Sequence, residues 1–323
     1  VREGKHVKRT IGLTLAAALL IGVGLGTTAQ TPMTVLDIDP GVAGLGAGGA
    51  GLSVLNGAET LYYNPAGLAD LPGISFSSFY ASHFGLANYS AFALSLRSFG
   101  AAVLLLNSGS IQGYDSGGEP TETLAYGNTA FILGAGLKPS DLSFFPELGF
   151  GLSMGARARI ITARIGDDRG SGFGFDLGVR SELSNMRFGP VSLSETSLAI
   201  TLVNMFGALN YEDVQESLLM DIGLGASTVI SGLVRAAVDL HLNGGLHLGF
   251  AYSPTPTFTL RVGAISRGGL SITAGLGVNV EGFLLDYAFM SHSLGGSHRI
   301  SLTLDFSALD MRALANSLRR LLP

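Results

Sequence analysis

The sequence predicts an all-β protein: a transmembrane, antiparallel, up-and-down β-barrel of about 14 strands, with an N-terminal plug in its lumen and a short C-terminal helix. Three observations lead there. The first is alternation. In 270–280, Leu270, Ile272, Ala274, Leu276, Val278 and Val280 share one side, while Ser271, Thr273, Gly275, Gly277 and Asn279 share the other. Successive side chains of a strand point to opposite faces, so this segment has one apolar and one polar face. In a soluble sandwich the polar face meets water; in a membrane barrel the apolar face meets lipid and the polar face lines the lumen. The second observation is 47 glycines, about twice the usual share of roughly 7%. They sit inside the alternating segments, where an inward glycine leaves room in a narrow barrel. The third is charge, with charged residues only 13% of the chain against a typical figure of about 25%. Together these favour the membrane barrel.

Residues 1–29 read as a secretory signal peptide. Arg2, Lys5, Lys8 and Arg9 make its basic start, Ile11–Leu25 its apolar centre, and Thr27-Thr28-Ala29 its small-residue cleavage site. No later stretch of about 18 apolar residues could cross a membrane as a helix. Residues 30–73 are glycine-rich and lack strand periodicity, yet they carry Val54, Leu55, Leu61, Tyr62 and Tyr63. This segment joins the first strand directly, so its short reach favours filling the lumen.

The barrel follows over 74–306. Its fourteen expected strands are 74–83, 88–98, 99–107, 124–138, 148–166, 171–183, 191–206, 217–228, 231–242, 245–253, 256–266, 269–280, 282–291 and 297–306. An even number returns both ends of the chain to one side of the membrane. Linkers after 107, 166 and 206 are rich in Gly, Asp, Ser, Asn and Glu, whereas Asn243-Gly244 and Arg267-Gly268 read as tight hairpin turns. Long loops at one end and tight turns at the other are expected. Phe306 closes the last outward set of Ile300, Leu302 and Leu304. In the tail, 307–323, Met311, Leu314, Leu318, Leu321 and Leu322 recur at helical spacing behind a capping box of Ser307 and Asp310.

Inward positions carry both charge signs: Arg157, Arg159, Asp176, Arg180, Asp221, Arg235, Asp239, Arg261, Asp286, Arg299 and Asp305. A one-sign selective pore would bias this set, so the mixture points to ion pairs across the wall and to the plug. Lumen-facing Gly277 is expected to tolerate serine, whereas an arginine at lipid-facing Leu276 is not tolerated.

Other chemistry finds little support. Gly44-x-Gly46-x-x-Gly49 has the dinucleotide spacing but neither the preceding strand nor the following helix that phosphate binding needs. Gly151-Leu-Ser153-Met-Gly155 has nucleophile-elbow spacing but lies within an alternating strand. His241 and His247 on adjacent strands make a poor metal site by themselves. The chain has no cysteine and a net charge of −5 without a basic cluster after the signal. No catalytic residue, metal site or cofactor is expected, and no nucleic-acid partner.

Leu61–Asp70 runs L-Y-Y-N-P-A-G-L-A-D after G-V-A-G-L-G-A-G-G-A-G at 41–51. This resembles the N-terminal signature of the FadL-like outer-membrane proteins, most closely the PorV/PorQ branch. L-D-Y-A-F at 285–289 and H-R-I-S-L-T-L-D-F at 298–306 resemble its final hairpin. The resemblance implies a fourteen-stranded barrel in the bacterial outer membrane whose N-terminal segment forms a hatch, with Asn64, Pro65, Ala66 and Gly67 as the hatch motif. Asn suits an N-cap, Pro the first helical position, and Gly67 an abrupt stop. The function that follows is passing or binding hydrophobic small molecules with the hatch as gate; the alternative is a non-transporting outer-membrane partner in type IX protein secretion, or a structural barrel. Outer-membrane lipid is the expected surrounding, and a periplasmic or secretion-system protein could meet the C-terminal tail. The connection Asn107–Thr123 is mostly Gly, Ser, Asp and Glu, with Ile111 and Tyr114 its large apolar residues, which weighs against a greasy entrance.

Overall fold

The computed structural model describes residues 35–308 except 84, 86, 143–150, 212–214 and 293–294. The expected signal peptide and the helical tail beyond 308 lie outside the described residues. One sheet contains β1 (Ile74–His83), β2 (Ala87–Leu96), β3 (Phe99–Tyr114), β4 (Pro120–Leu137), β5 (Gly151–Ile165), β6 (Asp168–Glu182), β7 (Met186–Phe188) and β8 (Val191–Asn210). It continues through β9 (Gln215–Ser217), β10 (Asp221–Ile230), β11 (Val234–His241), β12 (Gly245–Thr255), β13 (Phe258–Ser266), β14 (Leu270–Val280), β15 (Phe283–His292) and β16 (Gly295–Asp305). The three-residue β7 and β9 extend the hairpins at the two ends of β8. The other fourteen strands make the wall, each antiparallel to its neighbours.

β16 pairs with β1 from Ser75↔Asp305 to Ser82↔His298, which closes the barrel. Phe306 lies one residue past β16, and its N–H still reaches the Ile74 carbonyl at 3.0 Å.

The two faces of the wall part as the alternation requires. Leu133, Ile160, Phe173, Phe206, Phe250, Leu270 and Ile300 are exposed on the outside. Inward neighbours such as Thr273, Asp286, Arg299 and Ser301 are buried. A continuous girdle of exposed large apolar residues is a surface made for hydrocarbon. β11 to β16 have 8 to 11 residues, close to the 9–11 a tilted strand needs to cross a bilayer. The chain is a membrane-spanning barrel.

The connections differ from expectation in two ways. Asn107–Thr123 is a paired hairpin: β3 and β4 stay in register to Tyr114↔Pro120 through two bulges. Apart from Ile111 and Tyr114 its residues are small or polar, so the alternation fades while backbone pairing continues. The expected tight turns lie at the same end as this tall hairpin, since both follow strands running the same way. At Asn243-Gly244 the positive φ falls on Gly245 (+83°), so the turn is not type I′. The Asn243 amide instead ties the turn to the neighbouring hairpin by donating to the Met220 carbonyl at 2.8 Å.

Candidate functional site

Residues 35–73 cross the inside of the barrel as a chain of short turns. These are 3₁₀ turns at Val35–Asp37, Gly57–Glu59 and Pro65–Asp70, and helical turns at Val42–Gly46 and Thr60–Tyr63. The glycine-rich run wraps one aromatic ring. A Cβ at Gly41, Gly44 or Gly51 would lie 2.1–2.5 Å from the nearest atom of Tyr63, so only glycine lets the backbone fold around it. The Tyr63 hydroxyl donates to the Asp39 carboxylate at 2.7 Å.

The hatch-motif residues sit where this segment meets the wall. The Asn64 side chain caps the last turn by accepting from the Ala66 N–H at 3.0 Å, and Pro65 takes the first position. The Asn64 amide also donates to the Leu52 and Val179 carbonyls. Gly67 does not stop the turn, which runs on to Asp70. A Cβ there would come within 2.4 Å of the Thr60 methyl, so close packing, not termination, requires glycine. Ala66 is fully buried beside it.

The wall answers with glycines of its own. A Cβ on Gly155 would meet the Ala66 nitrogen at 2.4 Å, one on Gly178 the Asn64 Oδ1 at 2.0 Å, and one on Gly263 the Gly48 nitrogen at 2.2 Å. Gly46 rests on Gly275 in the same way. Inward glycines thus let the segment lie on the wall backbone from β5 round to β14.

Four of the expected lumen charges, Arg157, Arg180, Asp239 and Arg299, bond the segment, and most of the others pair within the wall. Arg157 bonds Asp176 at 2.5 Å and donates to the Leu61 (2.6 Å) and Tyr62 carbonyls. Arg159 shares Asp176 at 2.5 Å and also bonds Asn204. Arg180 pairs with Asp70 at 2.8 Å and donates to the Ser53 carbonyl. Asp239 accepts the Leu52 N–H at 2.9 Å, and Arg299 donates to the Asp39 carbonyl. Asp286 pairs with Arg261 at 2.7 Å, and Gly277 beside them is not free to vary: a Cβ would lie 2.5 Å from Asp286 and 2.6 Å from Arg261. Three charges stand apart, Asp221 with His241 and two at the rim. Arg235 pairs with Glu195 near the end where β1 begins and β16 ends, and Asp305 accepts from Ser307 at the same rim.

Asp176 is accommodated by an irregularity. Opposite it, β8 carries three residues, Val203–Met205, where β6 carries one. Asn204 takes a positive φ (+56°), a conformation asparagine tolerates better than most residues, and its N–H reaches Asp176 at 2.7 Å.

Several site residues escape sequence reading. Asp70 gathers Lys138 (3.1 Å), Arg180 and the Ser153 hydroxyl (2.9 Å), so Ser153 is a hydrogen-bond donor to a carboxylate. Asp70 and Lys138 border an open cleft of about 370 Å³ at the end of the barrel where β1 begins. Glu59 is buried within the segment; burial, then the nearby Asp286 and Asp39 carboxylates, push its pKa up to about 8. His241 bonds Asp221 at 2.9 Å with the His247 ring 5.1 Å away. Among the described residues no three His, Cys, Asp or Glu side chains are grouped to hold a metal ion.

The lumen is apolar on its other side. Phe79, Tyr89, Leu104, Leu106, Ile132 and Ile161 face inward from β1 to β5 and are buried. Phe79 and Tyr89 pack edge to face at 4.8 Å. The Tyr89 hydroxyl donates to the Ile38 carbonyl at 3.0 Å, which lays Val35–Ile38 against this apolar wall.

No protein-family model and no curated protein matches the sequence. Solved structures do match. The TodX deltaS2S3 mutant, a monoaromatic hydrocarbon channel, aligns with a TM-score of 0.52 at 12% identity, covering 81% of this chain and 97% of that one. A Pseudomonas aeruginosa FadL homologue aligns with a TM-score of 0.51 at 9% identity, over 85% and 99%. The Ralstonia pickettii toluene transporter TbuX gives 0.48 at 11%, over 82% and 96%. At such identities the first two likenesses are of fold: this chain has a FadL-type barrel.

Proposed function

We propose that the protein is an outer-membrane barrel of the FadL type that binds or passes small hydrophobic molecules, with residues 30–73 as its gate. The observation that carries this reading is the apolar side of the lumen. Phe79, Tyr89, Leu104, Leu106, Ile132 and Ile161 give a hydrophobic solute a surface that water does not favour, and the chain's own Val35 and Ile38 lie against it. The neighbours of like fold include a protein described as a monoaromatic hydrocarbon channel, which supports a solute of that class. The Asn64-Pro65-Ala66-Gly67 motif supports the FadL type, and by resemblance the PorV/PorQ branch. The basic and apolar residues of 1–29 support export to the outer membrane before cleavage. Wall charges of both signs are spent on the segment and on one another, which disfavours a general ion pore.

The test is a pair of measurements on the full-length mature protein and on a deletion of 36–70. In planar bilayers the intact protein should conduct little and the deletion should open an ion pathway. Cells carrying the intact protein should take up labelled toluene faster than cells without it. An unchanged low conductance in a folded deletion refutes the gate, and equal uptake refutes the hydrophobic solute.

A further inference from the structure

The polar side of the lumen holds a charge imbalance that the gate reading leaves unused. Glu59 is 2% exposed. Its Oε1 receives one long contact, 3.4 Å, from the Val42 N–H, and its Oε2 has no hydrogen-bond partner. The groups around it come from every packed element. Asp39, Tyr62 and Tyr63 belong to the segment itself. Arg261 comes from β13 and Asp286 from β15; Arg299 of β16 and Tyr89 of β2 lie beyond them, around Asp39, while the uncharged Ser75 hydroxyl of β1 accepts from the Ala58 N–H.

Both arginines are already committed. Arg261 pairs with Asp286 at 2.7 Å, and Arg299 bonds the Asp39 carbonyl and sits in the field of its carboxylate. Three carboxylic acids therefore share two guanidinium groups, and Glu59 is the one with no ion pair in contact and no second donor. A buried carboxylate in that position is stable only with a proton on it.

We infer that Glu59 keeps its proton while residues 35–73 are seated in the barrel, and that losing the proton loosens the seat. The inference rests on the gate reading above, because it needs the segment to leave its seat. The sign follows from linkage. Unseated and wet, Glu59 releases its proton near its ordinary value of 4.5; seated, it holds the proton up to about 8. Below the lower value both states are protonated and the seat is at its firmest. Between the two values, each pH unit weakens the seat about tenfold, and above about 8 the loss levels off.

The chain has no cysteine, so single reporters can be placed cleanly. Ser53→Cys puts a thiol at a buried position of the segment, and Ser116→Cys puts one in the exposed turn between β3 and β4. Maleimide labelling of the first, divided by that of the second, removes the pH dependence of the thiol itself. The ratio should rise about tenfold per pH unit between pH 5.5 and 7.5 and flatten above about 8. Glu59→Gln should flatten the slope by about tenfold per pH unit, leaving only what the other acids in or against the segment, Asp39 and Asp239, contribute. Infrared spectra of the unsubstituted protein at pH 7 supply a measurement that needs no thiol reporter. They should contain the carbonyl stretch of a protonated carboxylic acid that is missing from Glu59→Gln and fades as pH passes about 8. Absence of that band at pH 7, or the same slope in Glu59→Gln, overturns the inference. A band with pH-independent labelling overturns the coupling, and conductance through the 36–70 deletion then tells whether the gate itself survives.

Discussion

Gly178→Ala tests whether the segment is seated as described. The added methyl would stand 2.0 Å from Asn64 Oδ1 and 3.1 Å from Pro65 Cδ. Asn64 cannot swing aside cheaply, because three hydrogen bonds hold its amide: from Ala66 N–H at 3.0 Å, to the Leu52 carbonyl at 3.0 Å and to the Val179 carbonyl at 3.2 Å. At about 1 kcal/mol net apiece, their loss weakens the seat by about 3 kcal/mol. That corresponds to an increase of roughly a hundredfold in the unseated population. The barrel should remain intact, since the change faces inward on β6. The assay is limited proteolysis within 35–73 of the detergent-solubilised barrel, with heat-modifiable migration as the check on folding. Gly109→Ala on β3 is the control, because a Cβ there meets nothing within 4 Å. If Gly178→Ala and Gly109→Ala are cleaved at the same slow rate, Asn64 is not packed against Gly178.

Two further substitutions probe the wall. Leu276→Arg places a cation in the lipid-facing row between Leu260 and Tyr287 and should cost roughly 2–4 kcal/mol in a folding titration; Gly277→Ser should also destabilise, against the simple expectation for a lumen position, because it breaks Arg261–Asp286. Asp176→Ala leaves Arg157 and Arg159 buried without their shared anion, and a loss of about 3–5 kcal/mol should appear as a lower temperature of heat modification.

The strands were legible because lipid imposes period-two alternation on every residue pair it touches. That rule lapses where the residues turn small or polar, so Ser108–Thr123 read as a loop although β3 and β4 continue through it. It lapses also at Val203–Met205, where a bulge turns side chains out of phase to meet Asp176. Inward arginines were visible as charges in apolar strands. Their partners were not, because hydrogen bonds to Leu61, Tyr62, Ser53 and Asp39 end on backbone carbonyls, which no residue type announces. Glu59, a lone acid beside Leu61 and Tyr62, carried a signal that only its burial makes readable. Gly67 and Gly277 show the same limit: a glycine's reason lies in the atom opposite, hundreds of positions away in some cases.

The seat of the N-terminal segment has a consequence for the order of assembly. Gly48 bonds Thr273 across 225 positions and Asp39 meets Arg299 across 260, while Leu61 and Tyr62 take their donor from Arg157. The Thr273 and Arg299 contacts need β14 and β16, so the segment that precedes β1 cannot complete its seat until the last strands are made. Contacts of such long sequence separation form late and slowly. A barrel that closed before the segment docked would pass through an interval with an empty, charged lumen. Its wall arginines and aspartates would have to hold one another during that interval, which would give Arg157–Asp176–Arg159 and Arg261–Asp286 a task in biogenesis as well as in the finished protein.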